Sequence, residues 1–326
     1  MQKRGQGEQF NWVFVLIAGA IVLAFFTVFT FQYIQLQEKR QNLRVAQTLG
    51  ENIRLLESTE QALDADAFPL GGGFQFRYEC AADHSFLTIN NDYTQDVSDH
   101  LLFMPKLIST TAFRAWIAAW QYPYYITHIL YFEHPDTHHY FIVDPVGQSF
   151  VTNLHLPRIF TATTFQRPSS LPADQTIHAR VTFFTQTPPT APELAAITQT
   201  IPHATIIHIQ PIKDEVTFYD QNNDPVFHQS VAGKELLLGA LFSDDPDQYG
   251  CLINRSLSAF DRTTRIYSEK AKLLPHLSQN PDCTYQTIHH SLLNYRQQPL
   301  HSSSSLRQSL EDQNRDLSGK GCQVVF

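Results

Sequence analysis

The chain has 326 residues, 43% hydrophobic and 12% aromatic, with 24 Phe and 13 Tyr. That supply of apolar side chains can build a core, which excludes a disordered chain. Charged residues make up 17%, the net charge is −8, and no basic stretch occurs beyond residues 38–44, which excludes a nucleic-acid footprint.

The first element is the most informative. Residues 12–31 (WVFVLIAGAIVLAFFTVFTF) carry no charge, and Thr27 and Thr30 are their only hydroxyl side chains. About twenty residues at ~1.5 Å rise match the ~30 Å hydrocarbon core of a bilayer, so the run predicts a transmembrane helix after a short segment, 1–11. It exceeds the h-region of a secretory signal, and no small-x-small cleavage site follows it, so it reads as an uncleaved signal anchor. Lys3 and Arg4 before the span nearly balance Lys39, Arg40 and Arg44 after it. The short N-terminal segment, and an even number of cysteines with no C-x-x-C pair, place the large domain outside the cell membrane.

Residues 32–63 continue the helix, with Ile34, Leu36, Leu43, Val45, Leu49, Ile53, Leu55, Leu56 and Leu63 at roughly helical spacing and no proline. Two uses follow: a stalk for self-association through residues 12–63, or a helix packed on its own head. Residues 64–73 (DADAFPLGGG) end it.

A first lobe, 74–160, reads as mainly β. Phe74, Phe76, Tyr78 and Cys80 alternate onto one face, and further strands are predicted at 86–89, 101–103, 126–132 and 140–143. Residues 110–120 predict a short helix ending before Pro123. The stretch AWIAAWQYPYY gathers Trp116, Trp120, Tyr122 and Tyr124, either as core or as a binding surface for a peptide or sugar. In EHPDTHH the weak metal candidates are His134, His138 and His139, but Pro135 forbids a regular helix, and a polar hairpin tip is the simpler reading.

Residues 161–173 read as a connector to a second lobe, 174–326. A βαβ pattern covers 179–185, 192–200 and 205–209, and a hairpin covers 215–219 and 225–231, with Asp220 and Asp224 as turn formers. Helices follow at 234–242, 249–274, 285–296 and 306–317, then a tail, 322–326. The acidic run at residues 243–247 suits the N-terminus of the long helix. The fold class is therefore α+β: a membrane helix extended into a stalk, a mainly β lobe, and an α/β lobe ending in helices. Four cysteines allow three pairings; Cys80–Cys322 with Cys251–Cys283 is the expected one, because it ties together the ends of the ectodomain.

No nucleophile elbow, zinc-protease motif or phosphate loop occurs, and no cofactor site is read. The sequence leaves a cell-surface protein with a structural, adhesive or recognition role whose protein or glycan ligand is open. A self-assembling subunit and a membrane-anchored envelope enzyme are the alternatives.

Lys3-Arg4-Gly5-Gln6, followed by Gly7-Glu8-Gln9-Phe10 and the apolar run, resembles the leader of archaeal type IV pilin-like proteins. The resemblance covers roughly a tenth of the chain. It implies cleavage near Gly5, an archaeal source, and a helix that serves as assembly spine beneath a β-rich head.

Overall fold

The computed structural model describes residues 6–59, 62–63, 68–82, 84–173, 178–277, 280–297 and 304–326. Lys3, Arg4 and Gly5 of the leader motif lie outside the described residues, as do residues 64–67 of the first break.

Helix α1, Gln6–Thr59, is a single helix of 54 residues, or about 80 Å. From Trp12 to Gln41 nearly every side chain is exposed. Among the described residues α1 is the one helix long and apolar enough to cross a membrane. Beyond that point Asn42, Val45, Ala46, Leu49, Ile53 and Leu56 are buried. Steps of three and four residues put them on one stripe, which lies against the head. The stripe that a stalk would offer to another copy is thus used within the chain from Asn42 to Leu56.

The helix rests on an antiparallel sheet made of β2 (Pro69–Cys80), β3 (Ser85–Ile89), β4 (Tyr93–Asp96) and β6 (Leu107–Ala112), in the order β4-β3-β2-β6. A second sheet runs β1-β7-β8-β5, from β1 (Ala62–Leu63), β7 (Arg114–Gln121), β8 (Tyr125–Glu133) and β5 (Leu101–Phe103). Leu63 is therefore in a strand, and α1 stops at Thr59. Phe68, Phe76, Phe113 and Phe132 interlock where these sheets meet, with centroids 4.9–5.8 Å apart. The predicted helix at 110–120 does not form. Thr110, Thr111 and Ala112 are the last residues of β6, and β7 pairs with β8 from Arg114↔Glu133 to Gln121↔Tyr125. Ala115 and Ile117 alternate inward with period two, and that pairing overrides the alanine-rich helix signal.

The third sheet holds β9 (His138–Val143), β10 (Thr161–Phe165), β11 (Ala179–Phe184), β12 (Thr205–Gln210), β13 (Glu215–Tyr219) and β14 (Pro225–Ser230), in the order β10-β9-β11-β12-β13-β14. The first four strands are parallel, and β13 and β14 close the edge antiparallel. Two sequence expectations change here. Strand β9, placed in the first lobe, belongs to this sheet, and the supposed connector contains β10. Helix α2 (Pro145–Asn153) crosses over on one face, with Phe150 against Phe184 at 5.8 Å. Helix α3 (Ala191–Thr200) covers the other face, where Leu194 and Ile197 meet Val181, Phe183 and Ile206.

Four helices complete the molecule: α4 (Lys234–Phe242), α5 (Pro246–Leu277), α6 (Tyr285–Gln297) and α7 (Ser304–Gly319). Every residue of α4 from Leu236 to Phe242 is buried. One continuous core joins α1, the first two sheets, α4 and the C-terminal helices.

The disulfides are Cys80–Cys251 and Cys283–Cys322, with S–S distances of 2.01 and 2.12 Å. The expected end-to-end pairing is therefore incorrect. Helix α5 packs on β2, which brings Cys251 in its early turns to Cys80 at the end of that strand. Helices α6 and α7 pack together, so Cys283 just before α6 meets Cys322 just after α7.

Candidate functional site

The strand order of the third sheet reverses at β9. The chain steps outward from β9 to β10, then returns past β9 to β11 and continues to β12. Helices α2 and α3 therefore leave the carboxyl ends of β9 and β11 on opposite faces, and a crevice opens between them. In open α/β sheets this reversal is where ligands bind. Here it forms a cleft of about 440 Å³, within the ~300–1,000 Å³ range of small-molecule sites.

Local sequence explains the cleft's rigidity. Asp144 follows β9 and caps α2: one carboxylate oxygen accepts the Gly147 N–H at 2.7 Å, the other accepts the Gln186 N–H at 2.8 Å. The same side chain thus ties the β9–α2 turn to the β11–α3 loop. Pro145 stands at the first helical position, where its missing N–H costs nothing. Gly147 lets α2 touch β11, since a Cβ there would lie 1.7 Å from the Phe184 carbonyl oxygen. Across the cleft, Glu193 accepts from the Thr190 N–H at 2.8 Å and from its hydroxyl at 2.7 Å, opening α3. His208 Nε2 donates to the Thr185 carbonyl at 2.9 Å, bracing the loop from β12. Burial holds this imidazole's pKa below its ordinary value, against the opposing bond, so the ring is neutral at pH 7.

The floor and rim are Ile142, Val143, Phe183 and the prolines 145, 188 and 189. Around them stand Gln148, Gln166, Arg167, Thr185, Thr187 and Glu193. The side chains of Gln148, Gln166 and Arg167 form no hydrogen bond or ion pair among the described residues, so their donors and acceptors are open to a ligand. The charges here are Asp144 and Glu193 against Arg167, a net of one negative.

The sequence candidates lie elsewhere. Trp120 and Tyr124 are buried, with Trp120 Nε1 donating to the Ala232 carbonyl at 3.1 Å and the Tyr124 hydroxyl bonded to Thr264. Tyr122 stacks on Tyr295 beneath Arg307, and Trp116 stacks on Tyr131 at 4.9 Å. Trp120, Tyr122 and Tyr124 are thus core packing rather than a binding surface, and Trp116 is half-buried against Tyr131, its cross-strand partner in β8. The histidine segment is a turn between two sheets, not a hairpin tip. His139 Nε2 bonds the buried Glu133 at 2.7 Å, and His134 stacks on His178 at 4.1 Å. His138 instead contacts the Tyr140 hydroxyl. The three rings do not converge, and among the described residues no three metal-ligating side chains do. Asp220 and Asp224 hold the β13–β14 turn, where Asp220 accepts the Asp224 N–H at 2.8 Å.

No cleft residue was among the sequence candidates. The available signal was Asp144-Pro145 directly after an apolar strand, a helix-start pair that implies a β–α turn. Comparison with known protein families, curated proteins and solved structures gave no significant match.

Proposed function

We propose that this is a single-pass membrane-anchored protein whose extracytoplasmic head recognises a small, neutral, hydroxyl-rich ligand of the monosaccharide type. The observation that carries this reading is the cleft at the strand-order reversal, with a rigid frame and unspent Gln148, Gln166 and Arg167 side chains. Amides, hydroxyls and one guanidinium over an apolar floor match alternating hydroxyls and C–H faces, and the near balance of charge disfavours an ion. The long apolar part of α1 supports the anchor. The two disulfides support an oxidising compartment for the head.

The test is saturation-transfer NMR on the full-length chain in nonionic detergent with a panel of monosaccharides and polyols. Saturable binding by at least one compound is expected, weakened about tenfold by Arg167→Ala and by Gln148→Ala, as loss of a hydrogen bond implies. A panel with no binder, or variants that bind like wild type, would reject the reading.

A second reading is a pilin-like subunit. It is favoured by the division of α1 into a projecting apolar half and a half seated on an antiparallel sheet. In that reading the mature chain begins after Gly5 and assembles through the projecting half.

A further inference from the structure

A second, smaller cavity of about 180 Å³ lies away from the cleft, between α5, the β4–β5 loop and β8. Its lining residues Ala82 and Arg255 follow the two cysteines of the Cys80–Cys251 bridge by two and four residues. We propose that this cavity binds one small oxyanion (a phosphate, sulfate or carboxylate group) between Arg255 and Arg262. The two arginines are seven residues apart, two turns of α5, and so share a face. Arg255 is held in place: its terminal nitrogens donate to Ser85 Oγ and to the Ser98 carbonyl. Ser85 is itself buried and donates its N–H to Ser98 Oγ at 2.8 Å. The guanidinium also bonds the buried Tyr78 hydroxyl, so only part of its five-donor fork remains for a ligand.

Arg262 is exposed and has no hydrogen bond or ion pair among the described residues. His100 also lines the cavity; its Nδ1 faces Glu57 at 3.1 Å, which leaves its Nε2 edge. Among the described residues Asp99 is the one carboxylate in the lining, so two guanidinium cations face one anion there, with Asp96 also within electrostatic reach of Arg255. That excess is notable in a chain of net charge −8. Guanidinium forks suit oxyanions, which accept two parallel N–H bonds. The volume admits a free small anion and excludes a ligand that needs the larger cleft.

The inference is independent of the sugar reading, because no residue is shared between the two cavities. Full-length protein in nonionic detergent is titrated calorimetrically with inorganic phosphate, sulfate and acetate at constant ionic strength. Saturable one-to-one binding of at least one anion is expected. Arg262→Ala weakens it about tenfold or more, Arg262→Lys recovers part of the loss, and Asp99→Asn strengthens it. The unliganded Arg262→Ala protein keeps its melting temperature, since that side chain holds nothing in place. Absence of saturable heat with all three anions overturns the proposal, as does unchanged affinity in Arg262→Ala. Loss of binding in Arg167→Ala instead would move the anion to the cleft and also overturn it.

Discussion

Single carboxylates tie separate pieces of this chain together. Asp245 caps α5, accepting the Gln248 N–H at 2.9 Å, and reaches Lys106 at 2.6 Å beyond β5. Partial burial pushes its carboxyl up, but the Lys106 contact and the backbone N–H bonds outweigh that and hold it below its ordinary value. A depressed carboxylate stabilises the fold above its unfolded pKa and loses that contribution as pH falls through the folded one. Lys106 is more than half exposed, so the cap rather than the ion pair carries most of the effect. Asp245→Ala should therefore cost about 1 kcal/mol at pH 7, while Asp245→Asn, still a good cap, costs a few tenths. In urea titrations the gap between wild type and Asp245→Ala should close as pH drops below the ordinary carboxylate range. A gap constant with pH would refute this. The acidic run at 243–247 was legible as a cap because composition alone supports it. Asp144 serves a similar role, yet its value lies in the second bond, to Gln186, which only the folded sheet supplies. Arg167 and Arg262 carried no sequence signal: a lone surface arginine becomes a candidate only when a cavity forms beside it.

Elements were legible where one periodicity dominated. The strands of β2, β3 and β9, the hairpin β13–β14 and the four late helices all follow from alternation, turn residues or an apolar stripe. Residues 110–120 misled because alanines next to tryptophans satisfy both periods, and pairing with β8 settles the choice. Cysteine pairing was not legible, since it depends on α5 lying across β2 and on α6 packing against α7. Peptide mapping of the unreduced protein should recover Cys80–Cys251 and Cys283–Cys322, and any other linkage would overturn this helix placement. The sequence separations are 171 and 39 residues. In the chain-entropy account these correspond to about 5 and about 4 kcal/mol, so paired Cys→Ala replacement should destabilise more at Cys80/Cys251.

At the scale of the whole molecule, α1 does two jobs with one helix. Val45, Leu49, Ile53 and Leu56 are buried in the head. At about 1.5–3 kcal/mol each they contribute roughly 6–12 kcal/mol, comparable with the total stability of a typical domain. Removing residues 1–40 should leave a head that unfolds cooperatively, whereas removing residues 1–57 should leave one that aggregates through the bared β2–β4 face. Light scattering and thermal melts distinguish these outcomes; a stable 58–326 fragment would contradict this contribution of α1 to the core. The shorter truncation also tests the pilin reading, because it spares the head and should abolish assembly. An intact mass that retains residues 1–5 in the native protein would count against it.

The residues between Phe31 and Asn42 form three helical turns without a break, about 16 Å long. The helix carries no break between its apolar half and the head. Any rotation of the span about its own axis swings the cleft by the same angle, like a key turned by its shaft. A neighbour that grips one stripe of the span, through Phe25 and Phe29 for example, thereby sets the compass direction in which the cleft faces.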